Sequence, residues 1–253
     1  MQAVSLSGAK PLTNQGFRPL RIVSGVSVGE NSFEDILRCR PFTTHSLAGS
    51  GNMILEGIVT TLNERGEVNI APMGPIVEPE MQSLLLRPFP TSQTHRNLLQ
   101  RPYGVFHVVD DVLLLARAAL DRLTPEPETF AAHAIPGRVL HDACRWYEFE
   151  VSSRDDAKKR PEIRARVVHA GRIRDFYGFN RAKHAVIEAA ILASRLHILP
   201  RMEVLAQFAM LEGPVRKTAG PQELDAFRFL REYVIEQLYP PQPSGTRPEE
   251  HHE

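Results

Sequence analysis

Four residues within the stretch from Leu84 to Val109 have side chains suited to binding a phosphate group. Arg87 ends an apolar run, and Thr91, Ser92 and Thr94 follow it in "PFPTSQT" before the chain becomes apolar again. If "TSQTHRNLL" forms a helix, its first turn has backbone N–H groups without intrahelical partners and carries a partial positive charge. Together with three hydroxyls and a guanidinium, these groups favour an oxygen-rich anion such as a phosphomonoester.

The same residues also have a simpler interpretation, which their spacing leaves open. Thr91 is a candidate N-cap for a helix that runs to about Leu99, and caps of this type are common where no ligand binds. Arg87 is then an ordinary surface arginine, because no glycine-rich phosphate loop accompanies the helix. On this interpretation the stretch is only structural.

The elements that must position these residues follow from the hydrophobic pattern. The segments "ILEGIVTTLN" and "EVNIAPMGPIVE", joined by the turn residues "ERG", predict a β-hairpin. Pro72 and Pro75 cannot donate to a strand ladder, so the second strand must lie at a sheet edge or be irregular there. The segment "SLLLRPF" predicts a third strand before the short helix, and "YGVFHVV" predicts a fourth strand after it.

Downstream, the pattern predicts an excursion from the sheet, a return to it, and then helices. The segment "DVLLLARAAL" predicts a helix, and "DRLTPEPETFAAHAIPG" predicts a loop with a short helix. Alternation in "RWYEFEVSSRDD" and "EIRARVVHAGRIRDFYGF" predicts two more strands. Three further helices are predicted: one capped by Asn180, one over "RMEVLAQFAMLEGPV" and one over "PQELDAFRFLREYVIEQL", with Pro221 in its first turn.

Composition excludes several classes of function. Thirty basic residues balance thirty acidic ones, so no overall field attracts nucleic acid or an anionic membrane surface. No apolar run approaches the roughly 20 residues of a membrane span. The ten histidines form no helical metal-binding pair, and Cys39 and Cys144 are far apart, so we expect no metal site and two buried thiols. Without a secretory signal at the N-terminus, we expect a cytoplasmic protein.

The order of these motifs resembles an uncharacterised family of archaeal and bacterial proteins among the flavin-reductase-like FMN-binding split barrels. The resemblance covers about Ile54 to Leu196. It implies a mainly β fold with added helices, namely an FMN-binding split β-barrel with a helical C-terminal region. We therefore divide the chain into an N-terminal extension (1–52), the split barrel (53–178), the helical region (179–238) and a disordered tail (239–253).

The resemblance also implies a cofactor site and an assembly. FMN is the implied cofactor, with its phosphate held by Arg87, Thr91, Ser92 and Thr94. Its ring is expected to lie along the backbone of Asn69, Ala71, Pro72 and Met73, with Thr60 on the neighbouring strand, and Asn97 is expected to be structural. A homodimer is implied, in which Asn180 and Arg181 either complete the partner's site or serve only as a helix cap and a surface arginine.

Three hypotheses about function follow from this resemblance. The first is an FMN-dependent oxidoreductase of unknown substrate that takes electrons from NAD(P)H or another reductant. The second is a non-catalytic module that binds, carries or senses a flavin. The third is a structural dimer that has lost its ligand. No catalytic acid or base is assigned, because the flavin supplies the redox chemistry.

Overall fold

The computed structural model describes residues 52–240, which contain ten strands and five helices. Residues 1–51 of the predicted N-terminal extension and most of the predicted tail lie outside the described residues. The strands are β1 (Met53–Ile54), β2 (Gly57–Leu62), β3 (Val68–Met73), β4 (Ile76–Val77), β5 (Ser83–Leu86), β6 (Tyr103–Val108), β7 (Thr129–Ala131), β8 (Arg138–Leu140), β9 (Arg145–Asp155) and β10 (Glu162–Arg172). The helices are α1 (Gln93–Gln100), α2 (Val112–Ala119), α3 (Arg181–Ala193), α4 (Arg201–Thr218) and α5 (Pro221–Leu238).

Eight of the strands form one antiparallel sheet in the order β1–β4–β5–β10–β9–β6–β2–β3. Strands β2 and β3 are the predicted hairpin, with Gly57 opposite Met73 and Leu62 opposite Val68. Within the described chain β3 pairs only with β2, so Pro72 lies on an edge strand as its missing N–H requires. The predicted third and fourth strands are confirmed as β5 and β6, with α1 between them.

The sheet and α1 enclose one apolar core. Its side chains come from β2, β4, β5, β6, β9 and β10, and Leu98 contributes from α1. Because Leu98 is fully buried in this core, the orientation of α1 against the sheet is fixed by packing. The buried members are Val59, Val77, Leu84, Leu86, Leu98, Phe106, Phe149, Ile163 and Ala165.

A second apolar core lies among the helices. Small side chains on α3, including Ala182, Ala185 and Ala189, allow close approach of α2, α4 and α5, which contribute larger side chains such as Phe208 and Phe227. The three predicted C-terminal helices are confirmed. Asn180 caps α3, and Pro221 stands in the first turn of α5, as predicted.

Residues 121–144 differ from the sequence prediction. The expected short helix in "DRLTPEPETFAAHAIPG" is wrong: Thr129–Ala131 is strand β7, which pairs with β8. This excursion packs on the face of β2, β6 and β9 that points away from α1, which we call the outer face. Glu148 holds it there, because its buried carboxylate accepts hydrogen bonds from the N–H groups of His133 (2.8 Å) and Ala134 (2.6 Å).

Two further sequence expectations concern the cysteines and membrane helices. Cys144 is a buried free thiol, as predicted, and burial raises its pKa. Cys39 lies outside the described residues. Among residues 52–240, the helices are all too short or too polar to cross a membrane.

Candidate functional site

The N-terminus of α1 has the local geometry expected of an anion-binding turn. Ser92, rather than the predicted Thr91, is the N-cap: its backbone is extended, and its hydroxyl accepts from the N–H of His95 at 3.2 Å. The N–H groups of Gln93 and Thr94 lie in the first turn of the helix, where no carbonyl oxygen of the helix is available to accept from them. Thr91 is exposed, and its carbonyl oxygen accepts from Arg96.

Thr94 belongs to a buried polar cluster between α1 and the first hairpin. Its hydroxyl oxygen accepts from the side-chain amide of Asn69 on β3 at 3.1 Å. The amide of Asn97 donates to the hydroxyl of Thr61 on β2 at 2.9 Å, and Asn97 is completely buried. The structural role predicted for Asn97 is therefore confirmed. The cluster fixes the start of α1 against β2 and β3, which brings Asn69 and Thr94 together.

The ring-binding residues proposed on β3 alternate between the two faces of this edge strand. Asn69 points to α1, and Met73, four residues on, packs against the barrel core. Ala71 lies between them and is half-buried. The face opposite α1 includes Ile70, which packs with Ile58 on the outer face, and the side chain of Pro72 is on that same side by alternation.

The side chain of Thr60 lies on the outer face, opposite the predicted phosphate-binding residues. Its hydroxyl donates to the carbonyl oxygen of Arg138 on β8 at 2.6 Å, and its exposed fraction is 2%. The structure therefore separates Thr60 from Thr94 by the thickness of the sheet, while the backbone of Thr60 remains part of the ladder beside β3.

Arg87 lies at the end of β5, before the loop that leads into α1. It is half-buried, and its Nε is buried without a hydrogen-bond partner among residues 52–240. A buried guanidinium nitrogen without a partner costs free energy unless a ligand or water satisfies it. Arg87 is therefore not an ordinary surface arginine, and an anionic ligand would satisfy its free donor.

Arg160, a neighbour of Arg87 in the fold, was not predicted from the sequence. Arg160 precedes β10, and its Nε donates to the carbonyl oxygen of Arg87 at 2.5 Å. Its guanidinium also lies over the ring of Phe89, 4.6 Å from the ring centre, in the loop that leads to α1. Residues 87 and 160 meet only through the pairing of β5 with β10, which no local pattern predicts.

The side chain of Asn180 makes its hydrogen bonds with residues of its own chain. Its carbonyl oxygen accepts from the N–H groups of Ala182 (2.8 Å) and Lys183 (3.3 Å), and its amide donates to the carbonyl oxygen of Thr218 at 3.0 Å. These bonds give Asn180 the helix-cap role. The neighbouring Arg181 is exposed.

His107 on β6 is a buried histidine with a structural role. His107 is completely buried, and burial lowers its pKa to about 4. Its Nε2 accepts from the N–H of Leu140, and its Nδ1 therefore donates to the carbonyl oxygen of Ile58, each at 3.1 Å. A neutral imidazole with both nitrogens occupied is unsuited to proton transfer. Within the described chain, no cluster of three or more metal-ligand residues occurs.

Comparison with known families gives two matches along the chain. A family model described as the N-terminal domain of "protein of unknown function (DUF447)" matches residues 55–174, and a second DUF447 model matches residues 180–232. No curated protein matches the chain.

Comparison with solved structures gives an FMN-bound protein from Methanosarcina mazei, assigned to the DUF447 family model. Its TM-score is 0.63 at 26% identity, and the match covers 73% of this chain and 96% of that chain. The flavin reductase of styrene monooxygenase from Pseudomonas putida S12 has a TM-score of 0.40 at 15% identity and covers 48% of this chain and 82% of its own. An FMN-binding protein from Thermus thermophilus has a TM-score of 0.40 at 17% identity, covering 53% and 76%.

The family and fold expected from the motif order are thus confirmed. The two DUF447 models together span more than half of the chain, and the FMN-bound M. mazei protein matches 73% of it with a TM-score of 0.63. The chain belongs to the DUF447 family, and its fold is a split β-barrel of the FMN-binding type with a helical C-terminal region.

Proposed function

We propose that this protein binds FMN and acts as an FMN-dependent oxidoreductase. The FMN-bound DUF447 protein from M. mazei supports the cofactor, at 26% identity over 96% of that chain. The observation in this chain that carries the proposal is the buried Nε of Arg87, which has no partner in the described residues and lies beside the loop into α1. A phosphate bound there would satisfy this donor.

The phosphate end of FMN is assigned to the start of α1 and to Arg87. The hydroxyl and backbone N–H of Ser92 both already donate to the carbonyl oxygen of Phe89, so Ser92 shapes the turn. The donors proposed for the anion are the hydroxyl groups of Thr91 and Thr94, the latter held by Asn69, and the backbone N–H groups of the first turn of α1. Asn69 thus connects the two parts of the proposed site, because it lies on the strand assigned to the ring and binds a residue assigned to the phosphate.

The ring end is assigned to the edge strand β3. The C-terminal half of this strand consists of Ala71, Pro72 and Met73. Pro72 has no N–H that could pair with a further strand. The free edge leaves backbone groups available to a flat ligand. Thr60 supports the ring site only indirectly, since its hydroxyl is bonded on the outer face and its backbone is paired between β3 and β6.

When bound, FMN would supply the redox chemistry, taking electrons from NAD(P)H or another reductant and passing them to an acceptor. The residues of this chain bind the phosphate, orient the ring and exclude water from one side of it. The apolar core beneath α1, which includes Leu98 and Met73, provides that dry side. We further propose a homodimer, with Arg181 as the residue available to a partner's site.

Two measurements test this function in sequence. The purified protein should show the absorbance of an oxidised flavin, and mass spectrometry of the released ligand should give the mass of FMN. A protein that contains no flavin and does not bind added FMN would refute the proposal. Adding NAD(P)H without oxygen should then bleach the absorbance. A flavin that stays oxidised with all tested reductants would instead favour a carrier or sensor.

A further inference from the structure

Helix α4 is apolar on two opposite sides. One side lies in the core among the helices, to which it contributes Val204, Phe208, Leu211 and Val215. The opposite side is a row of apolar and small residues, which we call the α4 row: Met202, Ala206, Ala209, Met210 and Gly213. Met202 and Met210 are 74% and 78% exposed. Because a surface helix normally carries its charged residues on the side away from the core, an apolar outward side indicates that another element covers it.

The α4 row has the spacing and the residue sizes of a contact between helices. Four of its members follow one another at steps of four, three and four residues, which is the spacing of a coiled-coil seam. Alanine and glycine along the row allow the axis of a second helix to come close. Space is open at Gly213, because a Cβ added there would meet no atom within 4 Å. The element that fits this row is therefore a helix with an apolar side.

Two charged residues beside the row indicate which helix this is. Glu203 stands in the first turn of α4 and Lys217 in the last turn, and both are exposed. Each charge suits the dipole of its own helix. They are fourteen residues apart, about 21 Å along the helix, so they cannot pair within one copy of α4. Glu203 accepts a hydrogen bond from the neutral side chain of Gln207 at 3.0 Å, which leaves its charge uncompensated by that partner.

A second copy of α4 in antiparallel orientation would bring these opposite charges together. Glu203, Met210 and Lys217 are spaced by seven residues and therefore lie along the same side of the helix. With a two-fold axis at Met210, residues equally far before and after it face each other, so Glu203 of each copy meets Lys217 of the other. Parallel packing would instead place each charge opposite its own equivalent, which is repulsive.

We propose that the α4 row is the surface on which two copies of this chain associate, antiparallel and about a two-fold axis at Met210. This inference rests on the homodimer of the proposed function, to which it gives a surface and an orientation, and it does not depend on flavin binding. A contact between two single helices buries less than the roughly 1,200–2,000 Å² of a stable interface. Association should therefore be reversible and should depend on protein concentration.

The test is sedimentation velocity of the full-length protein over a micromolar concentration series. Glu203→Lys and Lys217→Glu should each raise the dimer dissociation constant by about tenfold, because each replaces two attractive pairs by two repulsive ones. The double variant restores opposite charges across the axis and should dimerise within about twofold of wild type. Since these two positions cannot meet within one copy of the helix, the rescue reports a contact between copies. Glu232→Lys, at an exposed position of α5, is the matched control and should leave dimerisation unchanged.

A second variant tests the position of the axis. Met210→Glu places two carboxylates against each other at the axis and should raise the dissociation constant by at least about a hundredfold. Because the Met210 side chain is exposed in the single chain, the variant should keep the fold of wild type, which circular dichroism and the melting temperature check.

The outcomes separate this inference from the proposed function. A dimer that persists unchanged in Met210→Glu and in both charge variants overturns the inference and leaves a homodimer through another surface. Single charge variants that weaken the dimer without rescue in the double variant also overturn it, because the antiparallel pairing is then absent. A protein that stays monomeric throughout the series overturns both the inference and the homodimer, and the α4 row is then covered by the chain itself or by another protein. The flavin absorbance of the same samples reports FMN binding independently of all these results.

Discussion

The hydroxyl of Thr60 donates a hydrogen bond to the carbonyl oxygen of Arg138, 2.6 Å away, and so joins β2 to β8 across the outer face of the sheet. The next residue, Thr61, points to the other side and accepts from Asn97 beneath α1. Two adjacent threonines therefore hold two different layers to the same strand. Because of this alternation, Thr60 holds the excursion of residues 121–144, whereas Thr61 holds α1 at the proposed FMN site.

Replacing Thr60 by Val should lower stability without changing flavin affinity. The variant keeps the side-chain shape but loses a buried hydrogen bond, so we expect the free energy of unfolding to fall by about 1 kcal/mol. Urea denaturation measures this change, and the affinity for FMN should stay within about twofold, the limit that such a titration resolves. Thr61→Val is the control on the opposite face, and it should lower both stability and FMN affinity. Thr60→Val protein with normal stability and weakened FMN binding would show that the hydroxyl contacts the ligand.

Replacing Arg87 by Ala should weaken FMN binding more than riboflavin binding. Loss of a hydrogen bond to a charged group costs about 1.5–3 kcal/mol, so the dissociation constant for FMN should rise by roughly one to two orders of magnitude. Riboflavin lacks the phosphate and should be affected only slightly. Parallel titrations with the two flavins measure the difference, with Arg164→Ala as the control. Equal losses for both ligands would contradict the phosphate role of Arg87.

Much of the fold was predictable because the relevant patterns are local. Alternating apolar residues identify β9 and β10, and the Asn180 cap and Pro221 identify the starts of α3 and α5. The prediction failed at β7, where "ETFAAH" carries alanines that favour a helix. There the pairing with β8 and the buried Glu148 outweigh intrinsic propensity, and both depend on tertiary contacts.

The candidate site was only partly predictable for the same reason. Arg87 and the three hydroxyl residues lie within eight positions, so one segment contains them all. The cap was misplaced by one residue, because Thr91 and Ser92 are equally good capping types and only the backbone geometry distinguishes them. Arg160 comes from a separate part of the chain and is brought to Arg87 by the pairing of β5 with β10.

A buried ion pair at the junction of barrel and helices gives a stability prediction. Arg174 binds both carboxylate oxygens of Asp110, one of them at 2.9 Å, and Lys183 on α3 donates to the carbonyl oxygen of Asp110. Asp110→Asn removes the charge and leaves Arg174 without its partner. Because Arg174 is about a third exposed, we expect a loss of about 2 kcal/mol, less than for a fully buried pair.

The pH dependence of this loss has a definite sign. The hydrogen bonds from Arg174 lower the pKa of Asp110 below its ordinary value, so the stabilisation is present above the unfolded pKa of about 4. It disappears as the pH falls through the folded pKa. Urea denaturation of wild type and Asp110→Asn should show a constant difference in unfolding free energy above about pH 5 that shrinks in acid.

The control is Glu150→Gln, which breaks the exposed pair with Arg166 and should cost less than about 1 kcal/mol. A difference for Asp110→Asn that stays constant down to pH 2.5 or so would contradict the argument.

The lowered pKa of His107 leads us to expect a loss of stability at mildly acidic pH. Its folded pKa is about 4, whereas an unfolded histidine has a pKa of about 6.5, so the unfolded chain binds a proton in this interval that the folded chain excludes. The contribution of the neutral imidazole is therefore complete above about pH 6.5 and is lost as the pH falls to about 4, with a total of roughly 3 kcal/mol.

The variant His107→Gln isolates this effect from the titration of other groups. Glutamine has no proton to gain in this range, so the difference in unfolding free energy between wild type and variant should be largest near pH 7 and should shrink toward pH 4. Urea denaturation at one-unit intervals measures it, and His197→Gln, at an exposed position, should follow wild type throughout. Parallel curves for wild type and His107→Gln would mean that the imidazole takes up a proton as readily in the fold as in the unfolded chain. Nε2 would then give up the N–H of Leu140 in mild acid at no cost in stability, and the attachment of β8 to β6 would need a different explanation.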